Sequence, residues 1–378
     1  MKKIALVGST GSIGRQVINV AERYSEKFKL VALIANSSKD EFLRQVYRLT
    51  PEYAALTNEN VAKTVGGLPG NVRFLQGEEG ALTALEECGA DVIVVACGGF
   101  AGLKYSLKAV ELGVPLALAN KETLVCGGEL IMPRVKEIMP VDSEHSAIWQ
   151  CLNFDRNAPF ESLVITASGG AFRGRKWETL TNVSPAEALA HPTWKMGAKI
   201  TVDCATLLNK GYEIIEAHHL YGAPYEKISA VIHPQSIVHS LVRFADGATL
   251  AQLSYPTMEL PIQLALTYPE RLDCALPQLD FTKAFSLEFL PLDGKDYPLY
   301  SLALDCGKAG GVLPTALNAA SEVAVGAFLK GGLRFTDIYT VTDKVVSKTA
   351  NEGVQSYEQL AVADGNARRL AEKIIKGV

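Results

Sequence analysis

Short apolar runs alternate with helical stripes along the first 120 residues of the chain. Residues 4–7 read as a buried strand, and Ile13, Val17, Val20 and Ala21 then recur at helical spacing. Residues 30–35 form a second β-rich run. Residues 91–96 and 115–119 are later ones, each ending in a turn that contains Gly or Asn. This alternation predicts an α/β fold whose N-terminal part is a Rossmann-like, doubly wound parallel sheet. The texture changes near Gln150. Strand patterns at 162–167, 228–232 and 249–253 then mix with helices, as in an α+β domain. Residues 285–300 carry Pro291, Gly294 and Pro298 and read as a linker. Beyond them, 315–329 and 357–375 are helical, with Leu360, Ala363, Ala367, Leu370 and Ile374 on one face. The expected organisation is a parallel-sheet domain over 1–150, an α+β domain over 151–284, a linker over 285–300, and a C-terminal helical domain over 301–378.

Composition narrows the function classes. Of 378 residues, 48% are hydrophobic and 21% charged, as in an ordinary globular protein, and the formal net charge is -4. That balance gives no electrostatic reason to bind nucleic acid or an anionic membrane. No apolar stretch approaches the ~20 residues of a membrane span. The apolar run after Met1-Lys2-Lys3 stops at Gly8, too early for a signal-peptide core. The seven cysteines are odd in number and scattered without a Cys-x-x-Cys pair. That pattern disfavours a disulfide scaffold or zinc site and predicts a reducing cytoplasm.

Candidate chemistry begins at Gly8-Ser9-Thr10-Gly11-Ser12-Ile13-Gly14, between the first strand and the first helix. Small residues there let the backbone approach a pyrophosphate, which the helix N-terminus attracts. After the second strand, Ala35-Asn36-Ser37-Ser38-Lys39 lacks the acid that usually holds an NAD ribose. Small donors beside a lysine suit a 2′-phosphate, so NADPH is expected; otherwise this is a polar turn. Further on, Asp142-Ser143-Glu144-His145 offers two carboxylates. In an extended segment they would share one side and suit a hard divalent ion, or else form a solvated acidic loop. Ser168-Gly169-Gly170 follows a strand and presents a hydroxyl and amides to a phosphate. His191-Pro192-Thr193-Trp194-Lys195-Met196-Gly197 has the mixed character of a mobile lid, near 186–198. On a helix, Asn209 and Lys210 lie one turn before Glu213, able to bind an anion while Glu213 gives a metal a third carboxylate. Read singly, Lys210 and Glu213 are an exposed pair.

Together these motifs closely resemble the 1-deoxy-D-xylulose 5-phosphate reductoisomerase family. They are joined by Ala119-Asn120-Lys121-Glu122, His233-Pro234-Gln235-Ser236 and Leu317-Asn318-Ala319-Ala320-Ser321-Glu322. The resemblance implies that Asp142, Glu144 and Glu213 hold one divalent ion, Mg or Mn. It implies that Lys121, Ser143 and Glu144 touch the substrate, and that Ser168, Asn209 and Lys210 bind its phosphate while His191 closes over it. Trp194 and Met196 would cap the site. Gly8, Thr10, Gly11, Ser12, Ile13, Asn120, Glu122 and Gly197 would contact NADPH, with Ala35, Asn36, Ser37 and Ser38 at its 2′-phosphate. His233 and His239 are expected to shape the pocket. The catalytic set is Asp142, Glu144, Glu213, Lys121 and His191.

The implied activity is isomerisation and reduction of 1-deoxy-D-xylulose 5-phosphate to 2-C-methyl-D-erythritol 4-phosphate, in non-mevalonate isoprenoid biosynthesis. The skeleton would rearrange by a retro-aldol and aldol route or by a direct shift, and a hydride would then reduce the aldehyde. A homodimer is implied as well. Cys204 stands where the family usually has a phosphate-binding serine. A thiol is the weaker donor, so weaker substrate binding is expected unless Ser168, Asn209 and Lys210 compensate.

Overall fold

Strand β1 (Lys2–Val7) sits inside a seven-stranded parallel sheet of the computed structural model, which describes residues 1–377. The other strands are β2 (Phe28–Ala35), β3 (Tyr53–Leu56), β4 (Arg73–Gln76), β5 (Val92–Val95), β6 (Leu116–Leu118) and β7 (Ile138–Pro140), in the order β4-β3-β2-β1-β5-β6-β7. The chain winds outward from β1 to β4, returns to pair β5 with β1, and winds outward again to β7. The strand order therefore reverses between β1 and β5, where doubly wound sheets bind their ligands. Ile4, Ala5, Leu6 and Val7 are fully buried, as are Val92 to Val95, because such a sheet is covered on both faces.

The first crossover shows why its glycines stand where they do. Gly8 has φ +88°, and a Cβ there would meet the Cys97 amide nitrogen at 2.5 Å. Gly14 faces the same turn from the helix Ser12–Arg23, and a Cβ on it would sit 2.2 Å from the Gly8 carbonyl oxygen. That helix buries Val17, Ile18, Val20 and Ala21, and its contact with the turn leaves no room for a methyl group. Gly14→Ala is expected to destabilise the protein by about 1–3 kcal/mol through overpacking, read as a lower urea midpoint, with weaker binding of the dinucleotide expected at this turn. An unchanged midpoint and affinity would refute this account of the turn.

A second, mixed sheet is built from β8 (Ser162–Ala167), β9 (Ile228–Ile232), β10 (Val238–Arg243), β11 (Thr249–Leu253) and β12 (Leu290–Pro291), in the order β11-β10-β8-β9-β12. Only β8 and β9 run parallel. The predicted strands over 162–167, 228–232 and 249–253 coincide with β8, β9 and β11. The 285–300 stretch, expected as a linker, supplies β12, which pairs with β9 and places Pro291 on a sheet edge.

The chain forms two compact units. One holds Met1–Asn120, Pro133–Asp142 and Met258–Ala275; the other holds Lys121–Met132, Ser143–Thr257 and Leu276–Val378. The expected boundary at 150 therefore differs from the packing. Residues 121–132 and 143–150 join the second unit because their helices pack there, Lys121–Ile131 on Leu208–Tyr221 and Ser143–Cys151 on β10. In the helix Leu208–Tyr221, every residue from Leu208 to Ala217 is buried. Gly211 permits a close crossing by Pro298–Ala309, since a Cβ on it would lie 2.5 Å from the Ala303 Cβ. The C-terminal helices Leu313–Leu329, Asp337–Lys348 and Tyr357–Ile375 pack on one another in the same unit. Phe335 anchors aromatic contacts with Phe172, Trp177 and Phe328.

Candidate active site

In the parallel-sheet unit, the turn from Gly8 to Gly14 leaves Thr10, Gly11 and Ile13 partly exposed and Ser12 exposed. Gly11 is the N-cap of the helix Ser12–Arg23 and no side chain caps it, so the first amides are open to an anion. At the end of β2, Ala35 is buried and Asn36, Ser37 and Ser38 are exposed. Asn36 Oδ1 accepts the Thr57 hydroxyl at 3.2 Å. The nearby Lys39 ammonium donates to the Thr64 carbonyl and hydroxyl oxygens at 2.8 and 2.9 Å. Asn120, buried in the same unit, donates to the Gly99 carbonyl at 3.0 Å.

The second unit carries a dense charged cluster. Glu213 is 1% exposed, and its carboxylate accepts hydrogen bonds from Lys121 Nζ at 3.1 Å, from Asn209 Nδ2 at 2.5 Å and from Lys210 Nζ. Lys210 also reaches Glu144 Oε1 at 2.9 Å, and Lys121 donates to Asn209 Oδ1 at 2.6 Å. Ser143 Oγ donates to Glu144 Oε2 at 2.6 Å. Lys210 and Glu213 are thus buried and joined to a network, not an exposed pair. Burial would push the Glu144 carboxyl upward, but Lys210 and Lys121 hold it well below the usual carboxylate range. Burial would likewise lower the Lys210 ammonium, which Glu144 and Glu213 raise instead. Asp142 is peptide-bonded to Ser143, and one oxygen each from Asp142, Glu144 and Glu213 lie within 4.8 Å of one another.

The carboxylates converge by a different route from the extended segment expected. A helix begins at Ser143, so Glu144 occupies its first turn and Asp142 immediately precedes it. On the facing helix, Leu207 at φ +54° breaks the chain between Ala198–Ala205 and Leu208–Tyr221. Cys204 therefore belongs to the earlier helix, and Asn209, Lys210 and Glu213 to the later one.

The lid residues organise around His191. Its Nδ1 accepts the amides of Thr193 and Trp194 at 3.1 and 2.9 Å, and Nε2 lies 2.9 Å from Ser168 Oγ. Two amide donors at Nδ1 place the neutral ring's proton on Nε2. Burial and Arg173 lower the imidazole pKa, which favours that neutral form. The Gly170 amide also donates to Ser168 Oγ, at 3.2 Å. Gly170 has φ +66° and lies so near Cys204 that a Cβ would meet the Cys204 carbonyl oxygen at 2.4 Å. Burial pushes the Cys204 thiol up, so it stays protonated. Trp194 sets its ring against His239 with centroids 6.4 Å apart, and His239 Nε2 lies 2.9 Å from Ser254 Oγ. His233 stacks on Phe289 and accepts the Ile237 and Val238 amides. Met196 is partly exposed and Gly197 exposed, and Gly197 caps the helix Ala198–Ala205. Burial raises the Glu122 carboxyl.

Glu216 and Tyr221 are absent from the residues the sequence singles out. His145 Nε2 lies 3.0 Å from Glu216 Oε2, and Tyr221 donates to the His145 carbonyl oxygen at 2.5 Å. The available signal was the three-residue spacing of Glu213 and Glu216 on one helix.

Three family models match the chain. One described as 1-deoxy-D-xylulose 5-phosphate reductoisomerase covers residues 4–128, one for that enzyme's C-terminal domain covers 138–221, and a DXP reductoisomerase C-terminal domain covers 253–370. Curated relatives named 1-deoxy-D-xylulose 5-phosphate reductoisomerase include one from Thermodesulfovibrio yellowstonii, 44% identical over 99% of this chain and 100% of its own. Another, from Thermomicrobium roseum, is 45% identical over 98% of this chain and 97% of its own. A crystal structure of DOX-P reductoisomerase with NADPH, fosmidomycin and magnesium superposes at TM-score 0.92, with 35% identity over 100% of this chain and 98% of the other. The Zymomonas mobilis enzyme with NADPH gives TM-score 0.90, with 34% identity and full coverage of both chains.

Proposed function

This chain belongs to the 1-deoxy-D-xylulose 5-phosphate reductoisomerase family, and we infer from that footing how its own residues serve the activity. It is an NADPH- and divalent-metal-dependent oxidoreductase that isomerises and reduces 1-deoxy-D-xylulose 5-phosphate to 2-C-methyl-D-erythritol 4-phosphate for isoprenoid precursors. The observation that carries the site reading is the buried Glu213 cluster, in which three acidic residues and two ammonium groups meet.

Asp142, Glu144 and Glu213 offer hard oxygen donors within 4.8 Å of one another, which fits Mg or Mn. We assign the metal to them. When bound, the ion supplies Lewis acidity at the substrate carbonyl and adjacent hydroxyl, and NADPH supplies the hydride. Lys121, held at Asn209 and Glu213, presents its ammonium where negative charge develops on the substrate oxygens. Ser143 orients Glu144. Ser168, Asn209 and Lys210 bind the phosphate, and His191 donates its Nε2 proton toward it. Because His191 Nδ1 caps the turn that carries Thr193 and Trp194, closing the lid and aiming the imidazole are one movement. Trp194 and Met196 then exclude water. Gly8, Thr10, Gly11, Ser12 and Ile13 cradle the pyrophosphate, Ala35 to Ser38 meet the 2′-phosphate, and Asn120, Glu122 and Gly197 complete the NADPH contacts.

Following NADPH absorbance with 1-deoxy-D-xylulose 5-phosphate, with and without Mn, tests the assignment. Metal-dependent oxidation yielding the methylerythritol phosphate is expected; its absence, or a different product, sinks the reading. Cys204 gives a second test. Losing a hydrogen bond to a charged group costs about 1.5–3 kcal/mol, so Cys204→Ser is expected to lower KM for the sugar phosphate about tenfold or more. An unchanged KM would count against weaker substrate binding caused by Cys204.

A cytoplasmic homodimer completes the reading. None of the seven cysteines forms a disulfide among the described residues, where no helix is long and apolar enough to cross a membrane. Strand β11 is an edge with Leu250 half-exposed, the kind of edge a second copy covers. Sedimentation equilibrium at twice the chain mass is the expected result.

A further inference from the structure

Beside the carboxylate cluster lies an ionisable pair that the assignments above leave without a role. His145 is fully buried and Glu216 is 1% exposed, with Nε2 and Oε2 3.0 Å apart. The pair joins the two helices that carry the proposed metal ligands. His145 directly follows Glu144 on Ser143–Cys151, and Glu216 stands one turn beyond Glu213 on Leu208–Tyr221. Tyr221 adds a second tie between the same helices, donating to the His145 carbonyl oxygen at 2.5 Å. One Asp142 oxygen also lies within 4.8 Å of a His145 ring nitrogen and a Glu216 oxygen.

A buried carboxylate is costly to keep without a partner, so the placement of Glu216 against an imidazole calls for a physical reason. Glu144 and Glu213 reach one point from two helices. Their separation therefore depends on the register between those helices, and a divalent ion tolerates little error in it. The His145–Glu216 contact sits within one residue of the first ligand and one turn of the second, where it can set that register. Metal ligands elsewhere depend on such outer partners for affinity.

We propose that Glu216 is a positioning residue: it holds His145, and through it the first turn of Ser143–Cys151, so that Asp142 and Glu144 meet Glu213 at the spacing a divalent ion requires. The inference rests on the metal-site reading given above. Its test is a Mn2+ titration of the full-length protein by electron paramagnetic resonance, with NADPH affinity measured in parallel.

Glu216→Ala is expected to weaken Mn2+ binding by about 10–100-fold while leaving the NADPH dissociation constant unchanged. Glu216→Gln keeps an oxygen that can accept the Nε2 proton, and it should restore most of the lost affinity. Saturating Mn2+ should return kcat of Glu216→Ala toward wild type, a rescue that general loosening of the fold would not give. Should Glu216→Ala fail to fold, Glu216→Asp decides, since its shorter reach must also weaken Mn2+ binding. Wild-type Mn2+ affinity in a folded Glu216→Ala or Glu216→Asp variant overturns the proposal, as does a stoichiometry of two Mn2+ per chain. Glu213→Gln is the control for the site itself. If it binds Mn2+ like wild type, the metal-site reading fails; if it loses Mn2+ while Glu216→Ala does not, only this inference fails.

Discussion

Glu213→Gln is expected to lower kcat/KM for 1-deoxy-D-xylulose 5-phosphate by about a thousandfold or more, given the several kcal/mol that a Lewis-acid centre contributes. The substitution conserves volume, so packing of the buried helix Leu208–Tyr221 should survive it. What it removes is the charge. Lys121 and Lys210 would then face a neutral amide instead of the carboxylate they now share, and the proposed metal would lose a ligand. Breaking a buried ion pair from one side costs about 3–5 kcal/mol, so a lower thermal midpoint should accompany the lost turnover. Steady-state kinetics at saturating Mn2+ decide the matter. Activity within tenfold of wild type would remove Glu213 from the reaction.

Lys210→Met should produce the other large change, an upward shift of the acid limb of the pH profile. In the native protein burial opposes ionisation of Glu144, yet Lys210 and Lys121 depress its carboxyl well below the ordinary range. A depressed folded value means that the carboxylate contributes stability above its unfolded pKa, near 4.3. That contribution is lost only as pH falls through the still lower folded value. Removing Lys210 leaves Glu144 and Glu213 close together with Lys121 as the remaining ammonium on the Glu213 side. Glu144 should then titrate at higher pH, so the acid limb of kcat/KM moves upward. Stability near neutrality should fall by about 3–5 kcal/mol. Mn2+ should recover part of that loss, because a divalent cation between the carboxylates replaces the missing ammonium. A pH profile superimposable on wild type would refute the argument.

The two variants separate roles that sequence alone left merged. Asn209, Lys210 and Glu213 could be read as an anion site beside a metal ligand or as ordinary solvated helix positions. The structure buries all three and turns Asn209 and Lys210 toward Glu213. His191 is similar. Its place beside Pro192 says little, and the aim of its Nε2 follows from two amides that exist only once the 191–194 turn has formed.

The hydrophobic pattern determined most of the secondary structure, because alternation and helical stripes are local consequences of which faces must be buried. Strands β8, β9 and β11 and the helix Tyr357–Ile375 lie where that pattern puts them. The glycine spacing likewise identified the turn after β1, since Gly8 and Gly14 answer steric demands made within a few residues. The pattern could not mark β12, two residues long and defined only by its pairing to β9. It could not show that residues 121–132 pack with the second unit rather than with the sheet they follow. Nor could it show that Asp142 and Glu144 flank the start of a helix, or that His145 meets Glu216 from 71 positions away. Those features depend on contacts between segments distant in sequence. Their burial and charge are fixed only when the helices pack.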